Sequence, residues 1–176
     1  QTSGLTGVDN VRELIMTSAS NDLNIDGQAG MVFTGAITDA PTEPGGGDVL
    51  SLTKVGTGTT TLTSAGNTYN GKTTITEGTL ALEGSGTIDT TNWVEINAGA
   101  TFDTSALTSG TYTMSQPVSG SGTLNAGTGT ITIGTSGGTG SLSPGMASDP
   151  TNIGTAGDQI GAITVNGSLT LAGDTV

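Results

Sequence analysis

The stretch LTKVGTGTTTLTSAGNTYNGKTTITEGTLAL, Leu52–Leu82, contains few bulky side chains and is built mainly from threonine and glycine. Apolar residues recur at alternate positions within it and downstream, as in the pairs Leu80 and Leu82, and Val94 and Ile96. This spacing indicates strands with one buried face. Threonine also favours strands. The sequence therefore predicts an all-β protein.

A longer period runs through the chain, because a glycine, small residues and a strand recur at intervals of roughly 20 residues, a spacing typical of solenoids. The glycines that begin these units are Gly58, Gly78, Gly99, Gly122, Gly140 and Gly167. Each unit cannot bury its own apolar face and must stack on its neighbours. We therefore predict a parallel β-helix of roughly eight coils, with an antiparallel β-sandwich as the alternative.

The 176 residues are expected to form a single elongated domain, residues 1–176. Stretches rich in proline, glycine and acidic residues near 39–48 and 143–158 interrupt the repeat and predict loops leaving the rod. The chain stops within a predicted coil, and an uncapped coil presents unpaired strand edges. We therefore expect a segment of a longer or polymerising protein, in which copies associate end to end.

Charge and composition exclude several classes of function. The 15 acidic and three basic residues give a net charge of -12, which repels phosphate backbones and argues against nucleic-acid binding. The absence of cysteine and histidine removes thiolate chemistry and the commonest general base. No apolar segment approaches the roughly 20 residues of a transmembrane helix.

Carboxylate positions bear on sugar-cleaving chemistry, which uses paired acidic residues. Glu77, Glu83 and Asp103 occupy different positions relative to the glycines of their repeats, so no carboxylate ladder is predicted. Serine lacks a histidine partner for a triad. We expect no catalytic residue and no enzymatic activity, since fold analogy alone does not establish function.

Asp22, Asn24 and Asp26 are the candidate metal ligands, because with Gly27 they match the first half of a calcium loop, D-x-N-x-D-G. The twelfth loop position is Phe33, so the bidentate glutamate is missing. Polar residues alternating through a strand and turn give the same pattern. Calcium is therefore a hypothesis, and no other cofactor is expected.

Trp93 is the candidate ligand-binding residue. It is the single tryptophan of a chain with only 3% aromatic residues, and its ring could stack on a carbohydrate. Tyr69 and Phe102 are expected to be structural. Lys54 is expected to cover a coil edge with its stem and to pair with a nearby acid.

Leu52–Leu82 resembles the autotransporter-associated β-strand repeat, a glycine-rich passenger repeat of Gram-negative surface proteins. Thr60 departs from it, because the family usually has leucine there. The matching residues are Leu52, Lys54, Gly56, Gly58, Leu62, Asn67, Thr68, Tyr69, Gly71, Thr74, Ile75, Gly78, Thr79 and Leu80. The resemblance implies a right-handed parallel β-helix displayed outside the cell.

Together these features predict a non-enzymatic structural β-helix on the outer surface of a Gram-negative-type bacterium. It would act as a scaffold, spacer or adhesive fibre, with end-to-end filaments as one form of assembly. The alternatives are a carbohydrate-binding adhesin tip and, less favoured by the residues, a carbohydrate-active β-helix enzyme. The expected partners are further copies of the chain and a surface or carbohydrate ligand.

Overall fold

The computed structural model describes residues 4–5, 14–15, 22–26, 30–39, 49–135, 140–145 and 162–172. These residues form strands and connecting turns, and none of them lies in a helix. The strands in chain order are β1 (Gly4–Leu5), β2 (Leu14–Ile15), β3 (Asp22–Asp26), β4 (Met31–Phe33), β5 (Ile37–Thr38), β6 (Ser51–Val55), β7 (Thr59–Leu62), β8 (Lys72–Ile75), β9 (Thr79–Gly84), β10 (Trp93–Ile96), β11 (Thr101–Leu107), β12 (Thr111–Met114), β13 (Val118–Gly120), β14 (Thr123–Ile133), β15 (Leu142–Pro144) and β16 (Thr164–Leu171).

Two parallel sheets form the sides of a solenoid. Sheet A stacks seven strands in the order β1-β3-β6-β8-β10-β13-β15. Sheet B has the order β12-β14-β11-β9-β7-β4, and β16 also pairs with β14. Every strand pairing in the described parts of the chain is parallel. The parallel solenoid prediction is thus confirmed, and the antiparallel sandwich alternative was wrong.

The number of coils differs from the prediction of roughly eight. About four turns are complete, each with one strand in sheet A followed by one in sheet B: β6 with β7, β8 with β9, β10 with β11, and β13 with β14. These are the turns in which the segment joining the two strands lies wholly among the described residues, which excludes β3 with β4 and β15 with β16. Some turns also use more residues than the repeat spacing indicated. Sheet A advances from Leu23 to Leu52 in one turn and from Val94 to Val118 in another.

The core is a set of columns in which equivalent inward residues of successive coils stack on one another. In sheet B one column runs through Thr60, Leu80, Phe102 and Leu124, all with no exposed surface. Burying each large apolar side chain contributes about 1.5–3 kcal/mol. No coil encloses an apolar interior alone, so stability depends on stacking between coils.

The outer face of sheet B explains the threonine content. Consecutive coils place a threonine at the same register position, because Thr59, Thr79, Thr101, Thr123 and Thr164 align across β7, β9, β11, β14 and β16. These side chains are partly or fully exposed. A β-branched residue with a hydroxyl suits a pleated face that meets water.

Most residues of the two predicted loops lie outside the described residues, namely 40–48 and 146–158. The base of the first loop is defined, because the Asp39 carboxylate accepts hydrogen bonds from the backbone N–H groups of Leu50, at 2.8 Å, and Asn70, at 3.2 Å. One side chain thus joins the two ends of the excursion and the following coil. At the second loop, strand β15 continues to Pro144.

Candidate functional site

Lys54, in the repeat, lies inside the solenoid with no exposed surface. Its Nζ donates hydrogen bonds to the carbonyl oxygens of Val55 at 2.8 Å, Gly56 at 2.7 Å and Glu77 at 3.2 Å. The expectation that Lys54 covers a coil edge was wrong, because its position places it inward, two residues after Leu52. Since Glu77 belongs to the next coil, the ammonium group connects two corners of the solenoid.

Asn67 connects three consecutive coils and is 2% exposed. Its Oδ1 accepts a hydrogen bond from the backbone N–H of Ile37 at 2.9 Å, and its Nδ2 donates to the carbonyls of Ser64 at 3.2 Å and Thr87 at 2.9 Å. The amide thereby replaces strand hydrogen bonds where the backbone turns. Buried amides are stable when their polar atoms are paired in this way.

A short chain of buried hydroxyl groups follows Asn67. The Tyr69 hydroxyl lies 2.7 Å from the Thr73 hydroxyl, which donates to the Thr91 hydroxyl at 3.0 Å in the next coil. Burial raises the pKa of Tyr69 above its ordinary value. Tyr69 has no exposed surface and is thus a core residue, in line with its predicted structural role.

Two glycines of the repeat occupy positions where successive coils make close backbone contact. A Cβ atom on Gly78 would lie 2.4 Å from the Gly58 carbonyl oxygen, and Gly78 also has a φ of 65°. A Cβ atom on Gly71 would lie 2.2 Å from the Leu50 carbonyl oxygen. Both contacts are with backbone atoms, so the corners can stack only when these positions lack a side chain.

Thr60, the departure from the repeat's usual leucine, is completely buried between Met31 and Leu80 in the sheet B column. Its Oγ1 has no hydrogen-bond partner among the described residues. A buried hydroxyl left in this state costs about 1–3 kcal/mol. The position is thus part of the core, where an apolar side chain would avoid this cost.

Trp93 lies on the outer face of sheet A and is half-buried. Its Nε1 donates a hydrogen bond to the Ser119 hydroxyl at 2.8 Å, and the Lys72 Nζ lies 4.5 Å from the ring centroid. Lys72 also forms an ion pair with Glu95. These contacts orient the indole ring and cover part of it. The carbohydrate-binding role of Trp93 stays a prediction.

Asp22, Asn24 and Asp26 all lie in strand β3, which pairs with β6 over Ser51–Val55. The alternation of polar residues thus coincides with an extended strand. Among the described residues, no three acidic side chains come together as a metal-binding group. Calcium binding at this segment stays a prediction, which a calcium titration would test.

The dispersed carboxylates keep different registers in sheet B. Asp103 pairs with Ala81, and Glu83 pairs with Ala106, so neither carboxylate stacks on another across this pair of coils. The described part of the chain contains no helix long and apolar enough to cross a membrane.

The sequence did not predict a groove of about 390 Å³ between two coils. Its lower wall is formed by residues 84–87 and Asp89, and its upper wall by residues 107–109 and Tyr112. The groove lies beside the start of β12, which is the end strand in the sheet B order. The segment of the preceding coil below β12 does not form a strand. The groove's only signal in the sequence is the longer spacing of this coil.

Comparison with known families gives one match. The model of the passenger-associated-transport-repeat matches residues 52–82. Neither the curated proteins nor the solved structures include a match to the chain. A passenger repeat implies a secreted or surface domain. The chain therefore carries an autotransporter passenger repeat at residues 52–82, as the resemblance predicted.

Proposed function

We propose that this chain is a non-enzymatic structural segment of a passenger protein, acting as a rigid scaffold or spacer on the outer surface of a Gram-negative-type bacterium. The observation that carries the proposal is the use of the repeat's buried polar side chains. Lys54 and Asn67 both bond from one coil to the next. The polar atoms of these two side chains are thus used to hold coils together.

Rigidity along the axis follows from this arrangement. Columns of buried side chains run through successive coils, and the Lys54 and Asn67 hydrogen bonds add directional contacts at two corners. Bending such a rod would separate both kinds of contact on one side. A spacer needs this resistance to bending, whereas an enzyme needs convergent reactive groups in a pocket.

Surface display is also consistent with the charge. A net charge of -12 with only 10% charged residues leaves a hydroxyl-rich, acidic exterior. Such a surface stays soluble and does not adhere to anionic lipids or nucleic acid. The outer face of sheet B, with its threonine ladder, is an example of this exterior.

Electron microscopy of the purified chain, combined with a hydrolysis assay on polysaccharides, tests the structural role. We expect particles of constant width that are longer than they are wide, and no release of reducing sugar or unsaturated product. Catalytic release of either product, abolished by one carboxylate substitution, would contradict the proposal. A chain that adopts many bent shapes would contradict the spacer role.

End-to-end assembly is a further part of the proposal, and strand β16 supports it. Its residues Val165, Leu169 and Leu171 align with the buried Leu124, Ile131 and Ile133 of β14. They continue the core columns, yet Leu171 is 65% exposed and the other two are only partly buried. An apolar strand edge of this kind favours addition of another coil, here from a second copy.

A charged residue at this edge tests the assembly. We expect the native chain to form longer particles as concentration rises in sedimentation velocity, and Leu171→Lys to remain the size of one chain. Val49→Lys is the control, because Val49 is also exposed, at 44%, but precedes strand β6. A native chain that stays monomeric at high concentration would overturn end-to-end assembly and leave the scaffold role in place.

A further inference from the structure

Contacts from both walls of the groove hold Tyr112, in the upper wall, in place. Its hydroxyl oxygen accepts a hydrogen bond from the backbone N–H of Ile88 at 2.9 Å and lies 3.4 Å from the Thr87 hydroxyl. Phe102 packs against the ring, with the two centroids 5.9 Å apart. Burial, with a smaller effect of the Asp89 charge, raises the pKa of Tyr112. These contacts hold the phenol in one orientation.

The outer part of the groove carries polar groups that face solvent. Asp89, Ser85 and Ser109 are exposed, whereas Leu107 and Tyr112 of the upper wall are only 8% and 6% exposed. A carboxylate accepts hydrogen bonds from two neighbouring hydroxyl groups, and the Ser85 hydroxyl can donate or accept. The Ser109 hydroxyl already donates to the carbonyl of Thr111 at 2.6 Å, so it is available to a ligand as an acceptor. The groove thus combines an acceptor, hydroxyl groups and a small apolar surface, within the volume range of small-ligand sites.

Charge narrows the chemistry of a suitable ligand. None of the residues lining the groove is cationic, and the chain is strongly acidic, so phosphorylated, sulfated or carboxylated ligands are repelled. A single carboxylate falls short of the roughly six to eight oxygen ligands that calcium takes. A neutral sugar ring offers adjacent hydroxyl groups together with an apolar C–H face.

We propose that the groove between residues 84–89 and 107–112 binds a neutral saccharide, with Asp89 accepting hydrogen bonds from adjacent sugar hydroxyls. The Ser109 oxygen accepts a further hydrogen bond from the sugar, and Leu107 and Tyr112 contact the C–H face. This activity is separate from the scaffold role, because the groove is built from the coil that follows the matched repeat. The groove would give one side of the rod a weak affinity for saccharides.

A titration followed by backbone amide NMR tests the proposal, with cello-oligosaccharides and chito-oligosaccharides as probes. We expect chemical-shift changes confined to residues 84–89 and 107–112. Asp89→Ala should weaken binding by about tenfold or more, as expected for loss of a charged hydrogen-bond acceptor. Asp89→Asn, which keeps the shape and removes the charge, should weaken it less. Unchanged spectra elsewhere show that each variant is folded.

Glu77→Ala is the matched control, because it removes an exposed carboxylate that does not line the groove. It should bind the same probes as the native chain. The proposal is overturned if neither probe shifts the groove amides at millimolar concentration, if the shifts lie around Trp93 instead, or if Glu77→Ala weakens binding equally. Calcium alone producing the same shifts would assign the groove to a cation and also overturn it.

Discussion

The side-chain carbonyl of Asn67 accepts a hydrogen bond from the backbone N–H of Ile37 at 2.9 Å, across 30 residues of sequence. Asn67→Ala removes this bond and the two that Asn67 donates to Ser64 and Thr87. We expect the free energy of unfolding to fall by about 2–4 kcal/mol, because buried backbone groups lose their partners. Urea denaturation measures the change.

The exposed Asn92 provides the control for Asn67. Asn92→Ala should change the free energy of unfolding by no more than about 0.5 kcal/mol. Equal losses of unfolding free energy in the two variants would show that the coil-to-coil hydrogen bonds of Asn67 contribute little to stability.

The two lysines of the repeat have opposite environments and should respond differently to the same substitution. Lys54→Met leaves buried carbonyl groups without the ammonium donor, so we expect a loss of about 3 kcal/mol or more. Lys72→Met removes the partly exposed ion pair with Glu95 and should cost about 1 kcal/mol or less. Urea denaturation of both variants measures the difference, and a larger loss for Lys72→Met would contradict this account.

Replacing Thr60 should stabilise the chain. Thr60→Val keeps the side-chain shape and removes a buried hydroxyl that lacks a partner among the described residues. We expect the free energy of unfolding to rise by about 1 kcal/mol, together with the melting temperature. Thr61→Val on the outer face is the control and should be nearly neutral. A destabilised Thr60→Val variant would mean that the hydroxyl is paired in solution.

Two glycines with the same φ of 65° separate the effect of backbone conformation from that of steric contact. Gly84→Ala meets no atom within 4 Å and should cost about 1–2 kcal/mol, from the left-handed conformation alone. Gly78→Ala would also place its Cβ against backbone atoms of the preceding coil. We expect Gly78→Ala to lose more stability than Gly84→Ala, as measured by thermal and urea unfolding. Equal losses would show that the coils can move apart at little cost.

Alkaline pH should destabilise the fold through its two tyrosines. Burial raises the pKa of Tyr69 and Tyr112 above the ordinary value of about 10 that they regain on unfolding. The folded chain then binds more protons than the unfolded chain above that pH. Their contribution to stability is complete below about pH 10 and is lost progressively as the pH rises further.

Urea unfolding at a series of alkaline pH values measures this loss, and tyrosinate absorbance shows when the phenols ionise. Tyr112→Phe should reduce the dependence on pH, because one of the two groups is removed. Tyrosines that ionise near pH 10 in the folded chain would contradict the predicted dependence.

The alternating residues of the central coils were sufficient to predict their buried faces. Leu80 and Leu82 are fully buried, as are Val94 and Ile96. Each pair follows from the period of two in a strand, which depends only on backbone geometry. Lys54 was misplaced for the opposite reason, because a basic residue was expected outside although it follows the same alternation as Leu52. Its burial depends on carbonyl groups of two coils that come together only in the folded chain.

The sequence by itself determined the all-β class, the stacking of coils and the passenger repeat at Leu52–Leu82, because these depend on local periodicity and on glycine at the corners. The tertiary structure alone decided which residues each coil contributes to its neighbours. The number of complete turns, the links made by Lys54 and Asn67, and the groove beside Asp89 all depend on the register between coils. That register is set by contacts between residues far apart in the chain, which local patterns do not record.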